Sequence, residues 1–67
     1  MPTAHVNAMV RLKEDVPTLS LRCGAVGTVV SVWLGPGEFI CEVEFPKSTK
    51  SPAVRSLFRV EQLEVVQ

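Results

Sequence analysis

Apolar and polar residues alternate from Val6 to Lys13. Val6, Ala8, Val10 and Leu12 fall on one face, and Asn7, Arg11 and Lys13 on the other, with Met9 the exception. Period two over such a run predicts a half-buried strand. Pro17 ends it, because proline cannot donate to a ladder. Residues 18–23 continue as an irregular connection with Leu19 and Leu21 tucked beneath it. Gly24 and Gly27 predict a tight turn that needs positive φ. Residues 28–33 are dense in β-branched side chains, which favour a pleated surface. Val29, Val30 and Val32 cannot all lie on one side of a regular strand, so the pattern predicts a strongly bent one.

Gly35, Pro36 and Gly37 mark the next turn. Residues 39–45 form the clearest strand in the chain. Phe39, Cys41, Val43 and Phe45 face the core, Glu42 and Glu44 face water, and Ile40 is left as a small apolar site on the outer face. Residues 46–52 are polar and bounded by prolines, which predicts a mobile loop. Residues 53–58 predict a fourth strand and residues 64–66 a short fifth. Between them, Val60 and Leu63 stand three apart, which suits one turn of 3₁₀ helix.

Sixty-seven residues allow one domain at most. It is placed at residues 6–67, after a disordered N-terminus of residues 1–5. Five short strands separated by turns predict an all-β fold, a small five-stranded barrel with one 3₁₀ turn before the last strand. Its expected interior is Val10, Leu12, Val29, Val32, Val43, Phe45, Phe58 and Leu63. Seven basic residues balance seven acidic ones, so the net charge exerts no general pull on nucleic acid or anionic lipid. No apolar run approaches the ~20 residues that a bilayer requires, and the N-terminus lacks the features of a signal peptide. A cytoplasmic location is therefore expected. Cys23, Cys41 and His5 are the only cysteines and histidine, too few for a four-ligand zinc site. The cysteines are expected to be reduced, and no metal or cofactor is predicted.

The order of elements resembles an SH3-like barrel, with a Gly-x-x-Gly-Thr-Val-Val segment at Gly24 to Val30 and a single 3₁₀ turn before the final strand. More closely, the chain resembles a bacterial family of short proteins of unknown function. The pieces that carry this are Leu-Lys-Glu-Asp-Val-Pro at 12–17, Cys-Gly-x-x-Gly-Thr-Val-Val at 23–30, Glu-Val-Glu-Phe at 42–45 and Glu-Gln-Leu at 61–63. The resemblance implies a fold and no agreed activity. A more distant likeness is to the type II dihydrofolate reductases, small barrels that work as tetramers. Val60, Leu63 and Glu64 match their Val-x-x-Leu-Glu portion, but Ser56 and Phe58 stand where that family has glutamine and tyrosine. The groups that would hold folate and nicotinamide are thus mostly missing.

Few residues offer chemistry. His5, Asp15, Glu42 and Glu44 are the candidates for acid–base work, which needs a titratable group positioned in a pocket. His5 sits near the chain start, and Glu42 and Glu44 read as an ordinary solvated strand face. Ser20, Ser31, Ser48, Ser51 and Ser56 have no evident base. The expectation is a non-enzymatic protein. The glycine turn is similar to that of KOW-type nucleic-acid modules, and Lys47, Lys50, Arg55 and Arg59 could gather phosphates. The nearby Glu42 and Glu44 oppose this, and only Trp33 could stack a base, so the balance weighs against nucleic acid. Trp33, beside the turn of Gly35 and Gly37, is a plausible anchor for a protein partner. The predicted function is association with another protein or with itself, into dimers or larger oligomers, through Trp33, Ile40 and the 46–52 loop with Lys47 and Lys50.

Overall fold

A computed structural model describes residues 5–49 and 52–66. Among the described residues there are five strands and two single-turn 3₁₀ helices. The strands are β1 (Met9–Leu12), β2 (Val26–Gly35), β3 (Glu38–Phe45), β4 (Val54–Arg59) and β5 (Leu63–Val66). A 3₁₀ turn at Val60–Gln62 precedes β5 as the spacing predicts, and a second, at Pro17–Leu19, was not expected. Its first residue is Pro17, whose fixed φ suits a helix start. It closes where Ser20 adopts φ +57°, and Val16 and Leu21 bridge across it. The turn thereby brings Val16, Leu19 and Leu21 onto the core.

The strands form one antiparallel sheet in the order β4-β3-β2-β1-β5. The fold is all-β with the expected number of strands. Its closure is looser than a barrel: β4 and β5 end the order without pairing to each other. No helix is long and apolar enough to cross a membrane.

The two-faced valines of β2 are explained by a bulge. Val29 lies opposite Val43, but the next pair is Ser31 with Glu42, and then Val32 with Cys41. Val30 is the extra residue. An inserted residue shifts the side-chain alternation by one and bends the strand. Val29 before the bulge and Val32 after it therefore point the same way. Trp33, which unbroken alternation would have sent inward with Val29, is turned outward.

The core is Ala8, Val10, Leu12, Val29, Cys41, Val43, Phe45, Phe58 and Leu63, all buried. Phe45 and Phe58 meet edge to face at 5.7 Å and 75°, a geometry that adds about 0.5–1.5 kcal/mol beyond area burial. Of the expected interior only Val32 is half-buried, because it lies near the distal hairpin and packs on the core from its rim. Val6, assigned inward by alternation, is exposed. Asn7 sits at φ +75° and turns the chain, so β1 begins at Met9 rather than at Val6. Met9, the exception in the pattern, is exposed on the outer face.

The glycines divide by cause. Gly37 has φ +71° behind Pro36, the pattern of a type II turn, and Gly24 also has positive φ. Gly27 does not; it lies inside β2 and is buried. A Cβ there would stand 2.8 Å from the Glu44 carbonyl oxygen and 2.8 Å from Val43 Cγ1. Its role is the close approach of β2 to β3, not a turn. The Gly27→Ala substitution should therefore lower stability by about 1–3 kcal/mol, the usual cost of overpacking. Thermal unfolding would show this as a clear fall in Tm, whereas Gly35→Ala, at a site open to solvent, should change Tm little.

Candidate functional site

The outer face of the β2-β3-β4 ribbon follows from the register. Trp33 lies opposite Ile40, and Ile40 opposite Arg59. One rung along, Glu42 lies opposite Leu57, and beyond it Glu44 opposite Arg55. Directly opposed residues share a face. Trp33 and Leu57 are each 59 % exposed, and Ile40 is half-buried between them. Leu34, 76 % exposed at the tip of the hairpin, lies opposite Phe39 and so belongs to the other face of the ribbon.

Leu57 was not picked out from the sequence. The signal was present: Leu57 shares parity with Arg55 and Arg59, while the buried Phe58 takes the other face. Of the residues proposed as a contact surface, Trp33 and Ile40 are cross-strand neighbours, and Lys47 lies apart from them. Trp33 and Ile40 sit at the distal hairpin end. Phe45 is five positions along β3 from Ile40, about 16 Å at ~3.3 Å per residue, and Lys47 follows it at that far end. Lys50 lies outside the described residues, as do Ser51 and residues 1–4 of the expected N-terminal tail. His5 is described: its carbonyl accepts the Ala8 amide at 2.9 Å.

Hollows open on the surface of the described residues. One, about 460 Å³, is lined by Ile40, Leu57, Phe58, Arg59 and Gln62, beside the apolar rungs. Another, about 360 Å³, is lined by Asp15, Pro17, Ser20, Leu21 and Arg22. Asp15 is occupied there in fastening the loop, its Oδ1 accepting the Cys23 amide at 2.7 Å. Glu44 faces Arg55 with an oxygen 3.4 Å from the guanidinium. Arg59 has no carboxylate partner among the described residues; its amide donates to Gln62 Oε1 at 2.9 Å. Among the described residues no group of three histidine, cysteine or acidic side chains could hold a metal ion.

On β1 and β5, Arg11 Nε donates to Glu64 Oε1 at 3.0 Å. Arg11 beside it holds the Glu64 carboxyl below the usual carboxylate range. Both cysteines are free: Cys23 is exposed and its thiol donates to the Lys13 carbonyl at 3.2 Å, whereas Cys41 is buried. Burial pushes the Cys41 thiol up from its ordinary value.

A family model described as a domain of unknown function (DUF4926) matches residues 6–65. The chain belongs to this family. The match begins ahead of β1 and ends within β5, so it covers the sheet and the outer face together. Nothing among curated proteins and nothing among solved structures matches the chain.

Two outcomes follow from the ionisable groups. The Arg11–Glu64 pair should contribute above the ordinary carboxylate range and be lost as pH falls through the lowered value of Glu64. Glu64→Gln should thus reduce Tm slightly at neutral pH and low salt, with the gap to wild type closing in acid and in high salt. A thiol reagent in native buffer should titrate Cys23 promptly and Cys41 only on unfolding, because the thiolate is the reactive form.

Proposed function

We propose that this protein is a binding module that associates with another protein chain, or with a second copy, through the outer face carrying Trp33, Ile40 and Leu57. The supporting observation is the placement of these three large apolar side chains on two adjacent rungs of one sheet face. Exposed tryptophan is enriched among residues that dominate binding energy, and clustered exposed apolar side chains mark interaction sites more than scattered ones do. Arg59 and Glu42 supply a polar border of both signs.

A cytoplasmic, non-enzymatic role is part of this reading. The support for a non-enzymatic role is that Asp15 lies on a different part of the chain from Glu42 and Glu44, which are neighbours on one face of β3. Asp15 fastens the 13–25 loop, Glu44 is matched to Arg55, and Glu42 stands across from Leu57. The basic residues proposed for nucleic acid are also divided, with Lys47 at one end of β3 and Arg59 opposite Ile40 near the other.

The test compares wild type with Trp33→Ala and Leu57→Ser. Surface substitutions usually alter stability by no more than about 0.5 kcal/mol, so circular dichroism and Tm should stay close to wild type. Light scattering, and quantitative capture of the chain's binding partner from its own cells, should show association weakened by each. Unchanged association in both variants would remove this face from consideration.

A further inference from the structure

The edge of β4 extends that reading from a face to a kind of partner. β4 ends the sheet, so among the described residues no strand pairs with the other side of its backbone. Edges are usually blunted by bulges, internal prolines or brevity. β4 pairs with β3 in unbroken register from Val54 to Arg59 and contains no proline. Its protection is charge: Arg55 and Arg59 flank Leu57 on the outer face.

These arginines discriminate between occupants. Pairing β4 with itself about a two-fold axis at Leu57 would set Arg55 of each copy against Arg59 of the other. Moving the axis to Ser56 would bring the two Arg55 side chains within diagonal reach. Like charges so placed destabilise a strand pair. The existing neighbour β3 shows the complementary arrangement and its gap. It sets Glu44 against Arg55 but Ile40 against Arg59, and Arg59 borders the 460 Å³ hollow with Leu57 and Gln62.

We propose that the open edge of β4 receives an extended segment of a partner protein in which acidic side chains oppose Arg55 and Arg59 and an apolar side chain between them opposes Leu57. Main-chain hydrogen bonds would provide affinity and the alternating side chains specificity, as in other cases of strand addition. The inference rests on reading the Trp33, Ile40 and Leu57 face as a protein-binding surface, because the added strand would continue that face.

The probe is a fluorescent peptide, Ser-Glu-Val-Leu-Val-Glu-Ser, measured by anisotropy at low salt. Two controls replace both glutamates with lysine, or methylate alternate amides along one edge. The acidic peptide should bind wild type several-fold more tightly than the lysine peptide. Arg59→Glu should reverse that preference, Arg59→Gln should erase most of it, and methylation of one edge should abolish binding. Equal binding of both charge forms, or indifference to methylation of either edge, overturns strand addition. So does a wild-type dimer that Arg59→Glu strengthens, which would identify the occupant as a second copy. Loss of the cellular partner in Trp33→Ala, without any effect of Arg59→Glu or of competing acidic peptide, overturns the edge assignment while leaving the face intact. The reverse result removes the face and keeps the edge.

Discussion

The close contact between β2 and β3 governs the rest of the domain. It is the longest ladder in the sheet, and it carries two local exceptions. Gly27 lets the Glu44 carbonyl and the Val43 side chain approach where any Cβ would intrude. Val30 inserts one residue and reverses the alternation beyond it. The first exception sets how tightly the ribbon packs. The second sets which way every side chain after it points.

The outer face is a consequence of that insertion. With regular pairing through Val29, Trp33 would turn toward the core and Val32 toward solvent. With the bulge, Val32 joins the rim of the core and Trp33 lies against Ile40 on the outside. The same insertion that brings Val32 to the rim of the core thus creates the exposed apolar rungs. The exposure of Trp33 and the packing of the core are coupled through one backbone irregularity, which is why the Trp33 surface and the stability of the sheet belong to one physical account.

The buried interior itself is apolar. Aliphatic side chains from β1, β2 and β3 meet Phe45, Phe58 and Leu63, and no polar or charged residue is buried among the described residues. A chain of this size has little stability to spare. The aromatic contact at the β3-β4 junction and the 13–25 loop add to it. That loop is folded back by its 3₁₀ turn and held by the Asp15 contact with the Cys23 amide, so that Val16, Leu19 and Leu21 add cover to the core.

Alternation was legible wherever it was unbroken. Val10 and Leu12 on β1, and Cys41, Val43 and Phe45 on β3, have one polar residue between each inward pair, and their burial follows from a period of two. The turn at Pro36 and Gly37 was legible because it needs a conformation that glycine supplies. Val6 misled, since Asn7 in the left-handed region takes the chain out of the strand, and alternation carries no record of backbone φ. Gly27 misled because a glycine needed for close approach looks the same in sequence as one needed for a turn. The bulge showed only as a conflict among three valines. Which residue was extra, whether the sheet would close, and that Lys47 would sit far from Trp33 while Leu57 sat near it, were decided by strand pairing, because register brings together residues whose separation along the chain says nothing of their distance.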